Sequence, residues 1–215
     1  IYAYMNAAKY VGGDFYDFFR IDQDRLGFVI ADVAGKGVPA AIFMAISRTV
    51  IRTIALTENS AAMCMQRSNT FLCQENVNEM FVTAFYGILN LNTGLVTYCN
   101  AGHNPPVLMK ADNTVVSVPL TNDFILGGVE NMTYHEKTLQ LSPGDNLLLY
   151  TDGITEAMNT CHEQYSEKRL LENCRELIGK SPKEIVDRIT ETVAKFVVGA
   201  VQSDDITLLS ITYQG

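Results

Sequence analysis

Acidic side chains recur in this sequence at the ends of stretches that are typical of buried strands. The apolar run over residues 28–31 stops at Asp32, and the run over residues 146–151 stops at Asp152. Of two further acids, Asp14 stands directly before a predicted strand and Asp204 stands two residues before another. Taken singly, each has an ordinary explanation, because aspartate is common in turns. Taken together they suggest chemistry, because carboxylates that converge away from water repel one another unless a cation holds them ionised.

The chemistry that such a group of acids could support is hydrolysis assisted by metal ions. Oxygen ligands without histidine or cysteine favour hard ions such as Mg²⁺ or Mn²⁺. Two such ions about 3.5–4 Å apart can share a bridging carboxylate and activate a water for in-line attack on phosphorus. The spacing of the acids along the chain is consistent with their convergence and does not prove it.

Composition excludes several other classes of protein. The chain has 215 residues and a net charge of -8, which argues against a nucleic-acid surface. Its five cysteines form no CxxC pair, and its three histidines lie at no metal-ligand spacing, so we expect reduced thiols in a cytoplasmic protein. No apolar run approaches the length of a membrane span. The chain begins with Ile1, and we expect it to be the C-terminal part of a longer protein.

The first half of the chain predicts a hairpin followed by two helices. A hairpin joining the segment after Gly12-Gly13 to residues 25–31 would place Asp14 or Asp17 near Asp32. Helices are predicted over residues 40–56 and 59–73. Their expected core positions are, in the first helix, Ile42, Phe43, Ile46, Val50 and Ile54, and in the second, Met63, Phe71 and Leu72.

The second half predicts an antiparallel sheet with two further helices. Helices are expected over residues 163–178 and 182–198, the second beginning with a capping box from Ser181 to Glu184. Connections between successive strands are short, and parallel pairing would need long crossovers. This order of elements predicts an α+β sandwich with helical layers outside the sheets. The predicted strands cover residues 80–91, 95–100, 107–110, 115–118, 134–141, 146–151 and 206–213.

Five short motifs in order give the chain a family resemblance. It resembles the SpoIIE/RsbU-type branch of the metal-dependent (PPM, type 2C) serine/threonine protein phosphatases. The resemblance runs over essentially the whole chain. It rests on Val11-Gly12-Gly13-Asp14-Phe15-Tyr16-Asp17, Ala31-Asp32-Val33-Ala34-Gly35-Lys36-Gly37-Val38-Pro39-Ala40, Asn100-Ala101-Gly102-His103-Asn104-Pro105, Tyr150-Thr151-Asp152-Gly153 and Asp204-Asp205-Ile206-Thr207.

The resemblance implies a single domain over residues 1–215 with a four-layer α-β-β-α sandwich of two antiparallel sheets. It implies two divalent cations, Mn²⁺ or Mg²⁺, at one end of the sheets. Asp32 would bridge both ions, and Asp14 with the backbone carbonyl of Val33 would complete one of them. Asp152 and Asp204 would hold the other, with Asp205 in reserve.

The resemblance also implies what the protein does. A metal-bridged water would attack phosphoserine or phosphothreonine directly, without a protein nucleophile. The substrate would be a phosphorylated bacterial regulatory protein, by family analogy a STAS-type anti-sigma-factor antagonist. An upstream sensory segment, which could tether the full-length protein to a membrane, is a further expected partner, and a homodimer stays open. This fragment itself is expected to contact neither nucleic acid nor membrane.

Other residues near the motifs have more modest expected roles. Gly35, Lys36 and Gly37 would support the loop beside the metals, and Lys36 is at least as much a solvated turn residue as a phosphate ligand. His103 is expected to pack its loop, and Asp17 to support the fold. The chain departs from the family at Ser166, where glycine is common, and at Asn6, where proline is common.

Two rival interpretations stay open. A non-catalytic scaffold would keep the fold, although retention of all four acids argues against it. The stretch Gly12-Gly13-Asp14-Phe15 also superficially resembles the GGDEF signature of diguanylate cyclases, but Phe15 stands where the required glutamate should be. The antiparallel pattern after residue 80 fits a cyclase poorly.

Overall fold

A computed structural model describes residues 1–74 and 80–215, and its strands form two antiparallel five-stranded sheets. The chain divides into two compact units, each with one sheet. The A unit contains residues 1–8, 104–118 and 142–214, and the B unit contains residues 9–103, 119–141 and 215. The strands are β1 (Tyr2–Asn6), β2 (Phe15–Arg20), β3 (Arg25–Val33), β4 (Val82–Asn90), β5 (Leu95–Ala101), β6 (Val107–Met109), β7 (Val115–Ser117), β8 (Lys137–Gln140), β9 (Asn146–Tyr150) and β10 (Ile206–Thr212).

Five helices lie in the described residues, two in the B unit and three in the A unit. They are α1 (Val38–Ala55), α2 (Ala61–Gln74), α3 (Asp152–Thr155), α4 (Ser166–Glu176) and α5 (Pro182–Phe196). The sheet of the B unit has the order β2-β3-β4-β5-β8, and that of the A unit has the order β1-β10-β9-β6-β7. The predicted α+β class with antiparallel sheets is confirmed.

The B unit is organised by strand β3, which is buried along most of its length. Alternate residues of a strand point to opposite faces, so Val29, Ala31 and Val33 lie on the face that packs against α1 and α2. Phe28 is also buried, and its ring stacks with that of Phe85 on β4. A strand buried on both faces fits the nearly continuous apolar run in the sequence.

The A unit has α5 packed against β10 and β1, and α4 packed against β6 and β7. The predicted capping box at the start of α5 is present: the Ser181 hydroxyl accepts a hydrogen bond from the Glu184 amide, and the Glu184 carboxylate accepts one from the Ser181 amide. The apolar face of α5, which includes Val186, Ile189 and Val193, is buried in the core of the unit. Capping and burial together fix the position of this helix.

The predicted core face of α1 is wrong in part. Phe43 is buried, but Ile42 is 58% exposed, and the residues buried along the helix are Ala40, Phe43, Ser47, Ile51 and Ala55. The sequence of α1 is apolar on two sides, so periodicity alone could not select the side that meets the sheet. Three of the five residues buried on that side, Ala40, Ser47 and Ala55, are small.

Two further expectations about the helices need correction. On α2, Leu72 is buried as predicted, but Met63 and Phe71 are exposed, while Cys64, Met65 and Ser68 face the core. By length and composition alone, α1 is also long and apolar enough to cross a membrane, contrary to the expectation that no apolar run approaches such a length. A core helix passes the same test, and α1 packs against β2 and β3.

Most predicted element boundaries differ from the observed ones by only a few residues, with two larger differences. The strand predicted over residues 134–141 is confined to Lys137–Gln140. The pair Asp152-Gly153, for which a turn was the ordinary explanation, instead begins the short helix α3.

Candidate functional site

The B unit brings Asp14 and Asp32 to the same end of a strand pair. In the antiparallel pairing of β2 with β3, Phe15 lies opposite Ala31. Asp14, which directly precedes Phe15, therefore lies beside Asp32, which directly follows Ala31. The Asp14 side chain is 2% exposed, whereas Asp32 is half-buried. The hairpin thus pairs Asp14 with Asp32 as predicted, while Asp17 lies opposite Val29, farther along the strands.

The backbone carbonyl of Val33 lies against Gly13, the residue before Asp14. A Cβ atom built on Gly13 would stand 2.8 Å from the Val33 carbonyl oxygen, which is closer than such atoms approach in proteins. Glycine at this position therefore leaves room around the oxygen that the family resemblance implies as a metal ligand. The two carboxylates and this carbonyl together form a set of hard oxygen donors.

The loop after Val33 connects β3 to α1 through two glycines with positive φ. Gly35 has a φ of 97° and Gly37 a φ of 84°, a region that residues with a Cβ rarely adopt. The Ala34 amide donates a hydrogen bond to the Phe81 carbonyl at 2.9 Å, which ties the start of the loop to the chain just before β4. Lys36 is exposed at the tip of the loop.

Asp17 is held by two arginines that the sequence reasoning missed. Its side chain is buried, and both carboxylate oxygens accept hydrogen bonds from Arg52 Nη1 at 2.9 Å. Arg48 Nη2 lies 3.3 Å from the same carboxylate. Arg48 and Arg52 stand one turn apart on α1, so this contact joins α1 to β2 and supports the expected structural role of Asp17. Two arginines at i, i+4 in an apolar helix were the available signal.

A second missed feature is the contact between Thr83 and His103. Thr83 on β4 lies directly opposite Asp32 on β3, so the two side chains share one face of the sheet. The Thr83 Oγ1 and His103 Nδ1 atoms are 2.9 Å apart. His103 is buried, and Asn100 fixes its loop by accepting a hydrogen bond from the His103 amide and donating one to the His103 carbonyl. This geometry supports the loop-packing role expected for His103.

The A unit brings Asp152 next to the segment 204–205 by close packing of backbones. The Thr151 amide donates to the Thr207 carbonyl, and the Thr207 amide donates to the Thr151 hydroxyl at 3.0 Å. A Cβ atom built on Gly153 would stand only 1.9 Å from the Asp205 carbonyl oxygen. No side chain fits there, so Gly153 allows the residue after Asp152 to pack directly on the acidic segment.

Asp204 and Asp205 have different surroundings. Asp205 is buried, and its Oδ1 accepts a hydrogen bond from the Ala8 amide at 2.8 Å. Asp204 is half-buried, and its carbonyl accepts a hydrogen bond from Gln202 Nε2 at 2.8 Å. One carboxylate oxygen of each acid accepts a backbone hydrogen bond, because Asp204 Oδ1 accepts one from the Asp205 amide at 3.0 Å. The greater exposure of Asp204 is therefore what favours it as the ligand of the two.

The predicted ligands therefore occur as two acidic pairs, Asp14 with Asp32 in the B unit and Asp152 with Asp204 in the A unit. Among residues 1–74 and 80–215, no group of three or more His, Cys, Asp or Glu side chains that could hold a metal ion is found. The convergence of all four acids on one metal centre stays a prediction. The donors themselves, carboxylates and a carbonyl, suit Mg²⁺ or Mn²⁺.

The three buried cysteines offer no nucleophile for a different kind of phosphatase chemistry. All five are free, as expected, and Cys64, Cys99 and Cys174 are buried. Burial raises the pKa of Cys64 and of Cys174 to about 12, and it raises the pKa of Cys99 still further. These groups are thiols rather than reactive thiolates near neutral pH.

Comparison with known proteins identifies the family. The sequence pattern of the family described as Stage II sporulation protein E (SpoIIE) matches residues 22–214. The chain belongs to the SpoIIE family. It is 30% identical over 205 residues to phosphoserine phosphatase RsbU of Bacillus subtilis, a match that covers 94% of this chain and 59% of RsbU. The predicted relationship to the SpoIIE/RsbU branch of the PPM phosphatases is confirmed.

Solved structures show the fold of this SpoIIE-family chain. The SiaA-PP2C domain of Pseudomonas aeruginosa superposes with a TM-score of 0.88 at 19% identity, covering 99% of this chain and 85% of that one. The RsbU and RsbW domains of Rv1364c from Mycobacterium tuberculosis give a TM-score of 0.81 at 26% identity, covering 99% and 60%. These likenesses confirm the predicted α+β sandwich fold of the PPM phosphatases. The chain spans about three fifths of RsbU, so the activity of a whole protein is a separate question.

Proposed function

We propose that this chain is a metal-dependent phosphoprotein phosphatase that hydrolyses phosphoserine or phosphothreonine. The observation that carries the proposal is the register that places Asp14 beside Asp32, with Gly13 leaving room beside the Val33 carbonyl oxygen. A family relative with 30% identity, RsbU, is a phosphoserine phosphatase. Hydrolysis is therefore the chemistry that both the oxygen donors and the family relationship favour.

In this proposal the chain supplies ligands rather than a nucleophile. Asp14, Asp32 and the Val33 carbonyl would hold one divalent cation, Asp32 would also contact a second, and Asp152 and Asp204 would hold the second. Asp205 is the reserve ligand, and Gly35, Lys36 and Gly37 shape the loop beside the site. Two bound cations, Mn²⁺ or Mg²⁺, would supply an activated water and neutralise the phosphoryl oxygens. Their positive charge would offset the repulsion among the carboxylates.

We further propose that the substrate is a phosphorylated regulatory protein in a bacterial partner-switching pathway, and specifically a STAS-type anti-sigma-factor antagonist. One structural relative joins an RsbU domain to an RsbW domain, which supports a protein partner of this kind. The reaction would take place in the cytoplasm.

The experiment that tests the proposed activity compares wild type with Asp32→Ala. We expect wild type to hydrolyse para-nitrophenyl phosphate and a phosphoserine peptide with Mn²⁺ but not with EDTA. Asp32→Ala should lose at least about 100-fold in turnover, because it removes the carboxylate shared by both ions. Asp187→Ala is the matched control, since it removes an exposed acid on α5 and should retain turnover. Wild-type turnover by Asp32→Ala at saturating Mn²⁺ would contradict the two-metal assignment.

The second candidate function is a catalytically silent scaffold with the same fold. In the described residues, the two acid pairs do not form a group of three or more that could hold a metal ion. A silent scaffold would bind a phosphoprotein without Mn²⁺-dependent release of phosphate. Measuring phosphate release and peptide binding on the same sample separates the two functions.

A further inference from the structure

The A unit contains a cavity of about 140 Å³ beside the acidic segment at residues 203–205. It is bounded by the C-terminal half of α5, by β1 and by the loop that leads from α5 to β10. Asp204 and Gly153, the neighbour of Asp152, both line it. The cavity therefore adjoins the two A-unit residues to which the proposed function assigns metal ions.

The size and floor of the cavity suit one apolar side chain. Val193 and Ala157 are buried lining residues, and Val197 and Ile206 extend the apolar surface. A dry cavity of about 150 Å³ with apolar walls can accommodate a molecule the size of benzene. A leucine or phenylalanine side chain of a ligand would thus fill the cavity and be removed from contact with water.

The rim of the cavity is fixed by Gln202. Its Oε1 accepts a hydrogen bond from Asn6 Nδ2 at 2.9 Å, and its Nε2 donates to the Asn6 carbonyl at 3.0 Å. The same Nε2 donates to the Asp204 carbonyl at 2.8 Å. These bonds join the loop to β1, so the cavity is formed before any ligand arrives, which reduces the cost of ordering it on binding.

Two exposed apolar lining residues also suit a protein ligand. Val201 in the loop is 93% exposed and Met158 is 41% exposed, so apolar surface continues from the cavity to solvent. An extended peptide advances about 3.3 Å per residue. A residue one or two positions from a phosphoserine that is bound through a cation at Asp152 and Asp204 would therefore reach the cavity.

We propose that this cavity is a specificity subsite that binds an aliphatic or aromatic side chain one or two residues from the phosphoserine of the protein substrate. This inference rests on the proposed phosphatase function and adds a preference within it. With a polar or charged residue at that position, the apolar floor of the cavity would stay exposed to water. Such a substrate would be hydrolysed with a lower kcat/KM.

The test compares short phosphoserine peptides in which one position at a time is either leucine or serine. The positions varied are the two residues before and the two residues after the phosphoserine. We expect wild type to show at least a tenfold higher kcat/KM for leucine at one of these positions. In Ala194→Phe, an aromatic ring is added at the exposed mouth of the cavity, and the ratio should fall to about one. Lys195→Phe is the matched control, because it adds the same ring at an exposed position that does not line the cavity.

A second measurement reads the cavity without turnover. In protein labelled at valine methyl groups, the leucine peptide should shift the NMR signals of Val193 and Val197, and the serine peptide should shift them less. The subsite would be overturned if wild type had the same kcat/KM for the leucine and serine peptides. It would also be overturned if Ala194→Phe kept the wild-type preference for leucine. Absence of Mn²⁺-dependent hydrolysis of para-nitrophenyl phosphate would overturn the phosphatase function instead, and the methyl signals would then decide whether the cavity binds the side chain.

Discussion

The two acidic pairs of this SpoIIE-family chain are positioned by different kinds of contact. In the B unit, strand register places Asp14 beside Asp32. In the A unit, direct packing of Gly153 on the Asp205 backbone places Asp152 beside the segment 204–205. The register of β2 with β3 is maintained by many hydrogen bonds between the strands. The contact of Gly153 with the Asp205 backbone is possible only because residue 153 has no side chain. We therefore expect the A-unit pair to be the more sensitive to a single added methyl group.

The largest predicted effect is that of Gly153→Ala. The added Cβ would lie 1.9 Å from the Asp205 carbonyl oxygen, so the backbone must move, at a cost of about 3 kcal/mol in the free energy of unfolding. The movement would also displace Asp152 from its acidic neighbour and abolish Mn²⁺-dependent turnover. Chemical denaturation and phosphate release measure the two effects.

Gly179→Ala is the control for Gly153→Ala. Gly179 has a φ of 77°, and no atom lies within 4 Å of the position that an added Cβ would take, so alanine there adds backbone strain without a collision. We expect it to cost about 1 kcal/mol in stability and to retain turnover. If Gly153→Ala were no more destabilising than Gly179→Ala, the packing account of the A-unit pair would fail.

Gly13→Ala should have a smaller effect on the B-unit pair. Its Cβ would stand 2.8 Å from the Val33 carbonyl oxygen, a milder overlap that a small shift can relieve at a cost of about 1–2 kcal/mol. The shift would turn the Val33 carbonyl away, and Mn²⁺ affinity measured by calorimetry should fall about tenfold. Wild-type affinity in a destabilised Gly13→Ala would show that the Val33 carbonyl is not a ligand.

Sequence reasoning predicted the acids and most elements because their signals are local. An apolar run that ends on Asp32, or a capping box from Ser181 to Glu184, requires no knowledge of distant residues. The exposed side of α1 could not be predicted in this way. Ile42 and Phe43 are adjacent and equally apolar, and only the packing of α1 against β2 and β3 decides that Phe43 is buried.

The supporting contacts around the B-unit pair were also beyond the sequence. Arg52 lies 35 positions from Asp17, and Thr83 lies 20 positions from His103, so neither contact leaves a local pattern. Strand register aligns Thr83 with Asp32, whereas the contact between Arg52 and Asp17 depends on the packing of α1 against β2. Local signals thus indicated the candidate acids, whereas the residues that make these supporting contacts left no such signal.

Thr83→Val tests whether the contact with His103 positions Asp32. Valine has the shape of threonine without the hydroxyl, so the bond to His103 Nδ1 is lost at a cost of about 1 kcal/mol in stability. If the contact positions Asp32, Mn²⁺ affinity should fall about threefold to tenfold, because groups behind a ligand orient it. Thr83→Ser keeps the hydroxyl and should restore the affinity. Equal Mn²⁺ affinity in wild type and Thr83→Val would restrict the contact to loop packing.

Ser166→Gly is expected to have the smallest effect and to leave both pairs unchanged. Ser166 has a φ of 72°, the left-handed region that glycine adopts at little cost. Glycine should raise the free energy of unfolding by about 1 kcal/mol and Tm by about 2–4 °C, measured by calorimetry. Because Ser166 begins α4, which packs on β6 and β7, we expect unchanged Mn²⁺ affinity. A change in that affinity would show that the backbone conformation at the start of α4, in addition to the contact at Gly153, affects the positions of the A-unit acids.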